Sequence, residues 1–272
     1  MNCCICGAVK NCEPYLNKVF ENIEKIGSLF DDYKIVIYYD SSSDNTLNIL
    51  KEYQVKNPKL FFYVNNTPIS PYRTHRLANA RNNCLNFIRQ NNRTYPYFIM
   101  MDFDDVNCKN INIETLKRSL MRGDWDGLSF NTYPIYYDTW ALSIKPFYFS
   151  YLHFKFNNNY NGDGIIKNYM NRLLKITPKN SLIKCLSAFG GFSIYRTKKF
   201  LNTYYDGRVR LDLMDKNLIE EQKKFLKSKI VFNQKTDLVN TFYEDCEHKS
   251  FHIQAIKNSG ARIMISPEIL FN

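Results

Sequence analysis

Tyr97-Phe98-Ile99-Met100-Met101 running straight into Asp102-Phe103-Asp104-Asp105 (YFIMM-DFDD) is the stretch whose reading decides the fold. Five consecutive apolar residues without alternation are too short for a helix and read as a strand buried on both faces. Such strands build parallel sheets covered by helices, in which ligands bind beyond the carboxyl ends of the strands. The aspartates stand at that edge.

The same pattern recurs upstream. Cys3 to Val9 is an apolar run ending at Lys10-Asn11, and Glu13 to Leu29 carries a helical stripe of Leu16, Val19, Phe20, Ile23 and Ile26. Tyr33 to Tyr39 (YKIVIYY) is a second buried strand, stopped by Asp40-Ser41-Ser42-Ser43. Ser43 or Asp44 can then cap a helix bearing Leu47, Ile49, Leu50 and Tyr53. Leu60 to Val64 reads as a third strand and Leu77 to Ile88 as a third helix. Strand and helix alternating through short connections predict an α/β fold with a mostly parallel central sheet. Lys10-Asn11, Asp40 to Asp44, Asn65 to Arg76 and Asp102 to Asp105 then share the ligand edge.

Downstream the pattern loosens. Trp125 to Asn131 is strand-like, and an aromatic stretch follows (Tyr133, Tyr136, Tyr137, Trp140, Phe147 to Tyr151). Gly190-Gly191 precedes a strand-like Phe192 to Tyr195. A helix from about Glu244 to Asn258 closes at Gly260, and Arg262 to Ile265 forms a late strand before Pro267. No linker composition interrupts the chain, which predicts one continuous domain over 1–272.

Bulk properties narrow the function classes. The 272 residues are 44% hydrophobic, ample for a core. Lys+Arg 37 against Asp+Glu 26 gives a net charge of +11, which permits nucleic acid, anionic lipid or phosphorylated ligands. The charges are scattered, however. The densest run, Lys223-Lys224 with Lys227 and Lys229, sits beside Glu220 and Glu221 and reads as a solvated helix face, so no nucleic-acid partner is expected. The eight cysteines read as reduced, buried small residues, which suits an intracellular protein. Neither a signal peptide nor a transmembrane window is evident, so a soluble, cytoplasmic chain is expected.

Two carboxylates at a strand end can hold a hard cation, Mg²⁺ or Mn²⁺, whose remaining positions go to water and phosphate oxygens. Asp-x-Asp alone is a short motif that arises by chance, and a second copy, Asp124-Trp125-Asp126, precedes a strand and reads as a turn. The order of motifs is more specific: a strand, DSSSDNT (Asp40 to Thr46), RLANARNN (Arg76 to Asn83), strand-DFDD, GGFSIY (Gly190 to Tyr195), and EDCEH (Glu244 to His248) followed by a helix. This order resembles the GT-A glycosyltransferases, particularly their large family-two-like group, over about residues 1–110 and 185–268. Residues 131–184 carry no motif of that family.

The resemblance implies a GT-A fold with a nucleotide-sugar half near 1–110 and an acceptor half near 111–272. It implies metal-dependent, inverting transfer of a sugar from a nucleotide-sugar, UDP favoured, to a glycan, lipid or protein acceptor. Asp40 is then the candidate for base recognition, and Asp102 and Asp104 for holding Mn²⁺ or Mg²⁺ with the diphosphate. Arg81 is carried by the family's Ala80-Arg81-Asn82 segment, with Arg73 and Arg76 as further diphosphate candidates, since a helix N-terminus with arginines suits phosphate. Asp245 matches the general base, with Glu244 and Glu247 as competitors. Acids also favour the first turn of a helix through its dipole. His248 and His252, on one helix face by their spacing, can supply a further metal ligand or be core residues. Gly190 and Gly191 match the small-residue turn beneath the acceptor, and the aromatics of 133–151 suit either an acceptor platform or core packing. A retaining transferase, a nucleotidyltransferase on a similar fold, and a non-catalytic basic binding protein are the alternatives.

Overall fold

A computed structural model describes residues 1–67, 69–150, 154–155, 162–226, 231–232 and 244–272. Tyr151, Lys227 and Lys229 of the stretches discussed above lie outside the described residues. The first half runs β1 (Asn2–Val9), α1 (Glu13–Gly27), β2 (Asp32–Asp40), α2 (Thr46–Lys56), β3 (Leu60–Asn65), α3 (Arg73–Gln90) and β4 (Tyr97–Met101). Then follow α4 (Ile113–Leu120), β5 (Gly127–Asn131), β6 (Phe154–Lys155), α5 (Gly162–Ile176), β7 (Ile183–Cys185) and β8 (Phe192–Arg196). The chain ends with α6 (Lys216–Leu226), β9 (Val231–Phe232), α7 (Glu247–Ser259) and β10 (Ile263–Ile269).

Eight strands form one sheet in the order β3-β2-β1-β4-β8-β5-β10-β7, with β6 and β9 pairing apart. β3, β2, β1 and β4 are mutually parallel, β8 runs antiparallel between β4 and β5, and β5 pairs parallel with β10. This is the α/β, mostly parallel architecture expected of a GT-A fold.

Both faces of the sheet are covered, which is why its central strands are apolar throughout. Cys4 and Cys6 on one face of β1 pack with Cys84, Leu85 and Ile88 of α3. Cys3, Ile5 and Val9 on the other pack with Leu16, Val19 and Ile23 of α1. Each such buried aliphatic side chain stabilises by about 1.5–3 kcal/mol. Gly7 of β1 has no room for a side chain: a Cβ there would lie 2.3 Å from the Phe103 ring and 2.5 Å from the Met101 carbonyl oxygen. Phe103 therefore packs down onto β1, into the core between Asp102 and Asp104.

Several boundaries differ from the sequence reading. α3 starts at Arg73, a full turn before Leu77, because a distant carboxylate, Glu244, accepts from the Arg73 amide at 3.0 Å. α7 starts at Glu247 with Cys246 as its N-cap, so Glu244 and Asp245 precede the helix rather than open it. The Asp245 amide instead donates to the Gly207 carbonyl, 2.9 Å away. β10 continues through Pro267 because its pairing with β5 shifts register between Ser266 and Ile269, a bulge where proline is tolerated. In Asp124-Trp125-Asp126, Asp126 is buried against Arg262 and Asp124 pairs with Arg122, so both acids anchor the turn. Among the described residues no helix is long and apolar enough to cross a membrane.

Candidate active site

The carboxyl ends of β1, β2 and β4 and the first turns of α3 enclose a cavity of about 240 Å³. Its floor is set by Asp40, the last residue of β2. Asp40 Oδ1 accepts from Asn65 Nδ2 at 3.1 Å, while Oδ2 lies 3.2 Å from Lys10 Nζ and 3.8 Å from Arg76 Nε. The ends of three strands thus converge on one carboxylate. Arg76 is only partly available to a ligand, since its Nη1 donates to the Ser70 and Pro71 carbonyls at 2.9 and 2.8 Å. Arg73, by contrast, is exposed and lines the cavity.

A second cavity of about 550 Å³ adjoins the first and shares Arg73, Leu77, Asp102 and Asp104 with it. Arg81 lies at the junction. It is 3% exposed, donates from Nη2 to Asp102 Oδ1 at 2.9 Å, and places Nη1 3.2 Å from Glu247 Oε1. Its guanidinium stacks over the Phe189 ring at 4.6 Å. Burial opposes its charge, but the Glu247 and Asp102 carboxylates outweigh burial and raise its pKa. Enclosure pushes the Asp102 carboxyl up to about 7, opposed by Arg81 and reinforced by Asp104 and Glu247. Asp104 and Glu247 are also raised, each chiefly by enclosure.

These acids fit a divalent cation. Asp102 uses Oδ1 for Arg81, and Asp104 uses Oδ1 to accept from the Val106 amide at 3.1 Å. Among the described residues no hydrogen bond engages the second oxygen of either carboxylate. Among the same residues no set of three His, Cys, Asp or Glu side chains converges on one point. Two carboxylates and no protein cage suit Mg²⁺ or Mn²⁺ bound together with substrate phosphate. His248 is therefore not grouped with Asp102 and Asp104 as a third ligand.

His252 is a core residue. It is fully buried, with Nδ1 2.9 Å from Ser187 Oγ and Nε2 2.9 Å from Tyr195 Oη, so both ring nitrogens are engaged away from the cleft. Burial, with Arg81 adding, lowers its pKa to about 3. The expectation of metal ligation by His252 is corrected accordingly. His248 differs: it is 1% exposed, stacks on Phe189 at 3.7 Å, and lines the second cavity with neither ring nitrogen hydrogen-bonded by any described residue.

The three acids of EDCEH separate. Glu247 lines the second cavity beside Arg81. Asp245 turns away, paired with Lys249 Nζ at 3.1 Å on a different, small cavity. Glu244 caps α3. Gly190 and Gly191, with φ of 65° and 82°, are not among the residues lining the two cavities and pack beside the acidic loop. The Gly191 carbonyl accepts from the Asp102 amide at 2.8 Å and from Asn107 Nδ2 at 2.7 Å, fixing the backbone of Asp102. A residue that sequence reasoning missed holds this turn: Asp138 Oδ2 accepts from the Gly190 amide at 2.8 Å. Asp138 lines the second cavity with Trp140 and Tyr137, in the region without a family motif.

Comparison with known proteins bears on the family and the fold. The family described as "Glycosyl transferase family 2" matches residues 4–201. A crystal structure of S. aureus TarS 1-349 superimposes with a TM-score of 0.50 at 15% identity, covering 100% of this chain and 60% of that one. The same TarS fragment in complex with UDP-GlcNAc gives 0.50 at 16% identity, covering 100% and 58%. Mannosyltransferase PcManGT from Pyrobaculum calidifontis, in complex with GDP-Man and Mn²⁺, gives 0.45 at 12% identity, covering 75% and 47%. At such identities the TarS likeness speaks for the fold, and the chain spans about 60% of the TarS fragment's length. No curated protein sequence matches the chain.

Proposed function

The chain belongs to glycosyl transferase family 2, and from that premise we propose that it moves a sugar from a nucleotide-sugar, UDP-linked by preference, to an acceptor hydroxyl with inversion. The observation that carries this reading is the continuity of the cleft. It runs from Asp40 past Asp102 and Asp104 to Glu247, with Arg81 joining Asp102 to Glu247.

The nucleoside occupies the smaller cavity, where Asp40 and Asn65 offer polar groups to a base or ribose. Arg73 meets the diphosphate with its guanidinium, whose planar fork of donors matches phosphate oxygens. Asp102 and Asp104 would hold Mg²⁺ or Mn²⁺ through their second oxygens, and the ion supplies neutralisation of charge on the departing diphosphate. Arg81 keeps Asp102 oriented and neutralises part of the acidic cluster. The transferred sugar faces the larger cavity.

Glu247 is our proposed general base. Its carboxylate lines the acceptor side, and its raised pKa improves its ability to take the proton of an attacking hydroxyl near neutral pH. The hydroxyl oxygen forms the new bond to the anomeric carbon as the bond to the diphosphate breaks on the opposite face. Asp245, engaged by Lys249, is the competing carboxylate.

The test is nucleotide release from a panel of UDP- and GDP-sugars, with Mn²⁺ or with chelator. Metal-dependent release from one donor is expected, with Glu247→Gln slowed by about 10² or more and Asp245→Asn slowed far less. The reverse ranking would transfer the base to Asp245. Absence of release from every donor would overturn the reading.

A further inference from the structure

The acceptor end of the larger cavity has a composition of its own. Its outer rim is apolar and exposed: Tyr133 is 53% exposed, Ile135 53% and Tyr137 39%. Among the described residues, Trp140 Nε1 and both ring nitrogens of His248, on residues lining the same cavity, are buried without a hydrogen-bond partner. A buried polar group left unmet is costly, so three such atoms on residues lining one cavity point to a ligand that pairs with them. Burial, with Arg81 and His252 adding, lowers the pKa of His248, leaving a neutral imidazole with one donor and one acceptor nitrogen. Trp140 offers a donor alone. A hydroxyl, which both donates and accepts, complements this set; a phosphate or carboxylate, which only accepts, does not.

The charges agree. The acids Asp138 and Asp163 line this cavity, and among its described lining residues carboxylates outnumber cations; Arg73, the exposed cation, stands where the two cavities join. Lys167 is paired with Asp163 at 2.7 Å, Lys109 donates to the Tyr133 carbonyl at 2.9 Å, and Arg81 is held by Asp102 and Glu247.

We infer that the acceptor is a neutral sugar, its ring against the Tyr133, Tyr137 and Trp140 aromatics and its hydroxyls hydrogen-bonded by His248 and Trp140, and that His248 sets this specificity. The inference rests on the glycosyltransferase reading above for what becomes of the bound sugar, though not for the binding itself.

The experiment has a binding arm and a turnover arm. Saturation-transfer NMR on the full chain with UDP and Mn²⁺ compares methyl and p-nitrophenyl glycosides of neutral hexoses with glycerol phosphate and with glucuronides. Donor turnover is then measured against the same compounds. Neutral glycosides are expected to bind and to accelerate nucleotide release. His248→Phe, which keeps the stack on Phe189 and removes both nitrogens, is expected to raise their KM about tenfold, more than it moves the donor KM. A variant that merely folded poorly would shift both together. Preference for glycerol phosphate or glucuronide overturns the proposal, as does equal loss of donor and acceptor affinity in His248→Phe. Silence from every neutral glycoside overturns it too. Neutral glycosides that bind without any donor turnover would uphold the inference while the transferase reading failed.

Discussion

Replacing Arg81 by methionine removes a guanidinium that two carboxylates share inside the fold. Glu247, 2% exposed, and Asp102 would each lose the cation they share, with only Arg73 acting on them from beyond ion-pair distance. Breaking a buried pair from one side costs about 3–5 kcal/mol, because the remaining charge is stranded. Methionine restores most of the volume, so the loss is electrostatic rather than a cavity effect. At roughly 2–4 °C per kcal/mol for a domain near this size, the melting temperature should fall by about 6–20 °C. The partner variant Glu247→Gln tests the cause. In Arg81→Met/Glu247→Gln one of the two stranded charges is gone, so the double variant should be more stable than the two single costs predict, with a coupling of about 0.5–3 kcal/mol. Differential scanning fluorimetry of the four proteins, without nucleotide or metal, reads this directly. Strict additivity, or a fall of less than about 2 °C in Arg81→Met, would refute the shared-cation account.

Other perturbations probe the supports of the site. Gly7→Ala forces a Cβ against the Phe103 ring and the Met101 carbonyl, so it should destabilise by about 1–3 kcal/mol and weaken nucleotide binding; urea unfolding and a UDP titration check both. Asp138→Asn leaves one acceptor oxygen where two hold the Ala141 and Gly190 amides and sets an NH2 against the other amide, which loosens the turn that fixes Asp102, so the donor KM should rise about tenfold in steady-state kinetics. His252 has a folded pKa of about 3, well below that of an unfolded histidine, so the stability it confers is full above about pH 6.5 and is lost as pH falls towards 3. Urea unfolding of wild type and His252→Gln over that range should show the wild type losing up to about 1.4 kcal/mol per pH unit more than the variant.

The sheet was legible in the sequence because its central strands are buried on both faces. YKIVIYY and YFIMM became β2 and β4 within a residue at each end, and the stripe from Leu16 to Ile26 became the buried face of α1. The start of α3 was not legible, since the Glu244 carboxylate that holds it is 171 positions away and Arg73 to Arg76 carry no apolar period. The division of labour within EDCEH was hidden for a related reason. Which acid faces the cleft depends on the Gly207 carbonyl fixing Asp245 and on Lys249 taking its carboxylate. The spacing of His248 and His252 gave one helix face correctly, but only packing tells that Ser187 and Tyr195 satisfy the second and that no described residue hydrogen-bonds the first. Asp138 had no local signal, because its role is to hold the Gly190 amide, 52 residues on.

The central claim is that the cleft binds a nucleotide through a cation held by Asp102 and Asp104. Calorimetric titration of UDP into the protein, with and without Mn²⁺, on wild type and Asp104→Ala, tests it most directly. Among the described residues the side chain of Asp104 accepts only from the nearby Val106 amide, so the variant should fold. The account predicts UDP binding that requires Mn²⁺ and weakens at least about tenfold in Asp104→Ala. Binding indifferent to both Mn²⁺ and the substitution would contradict it, as would the absence of binding by UDP, GDP and the other nucleoside diphosphates with Mn²⁺ present.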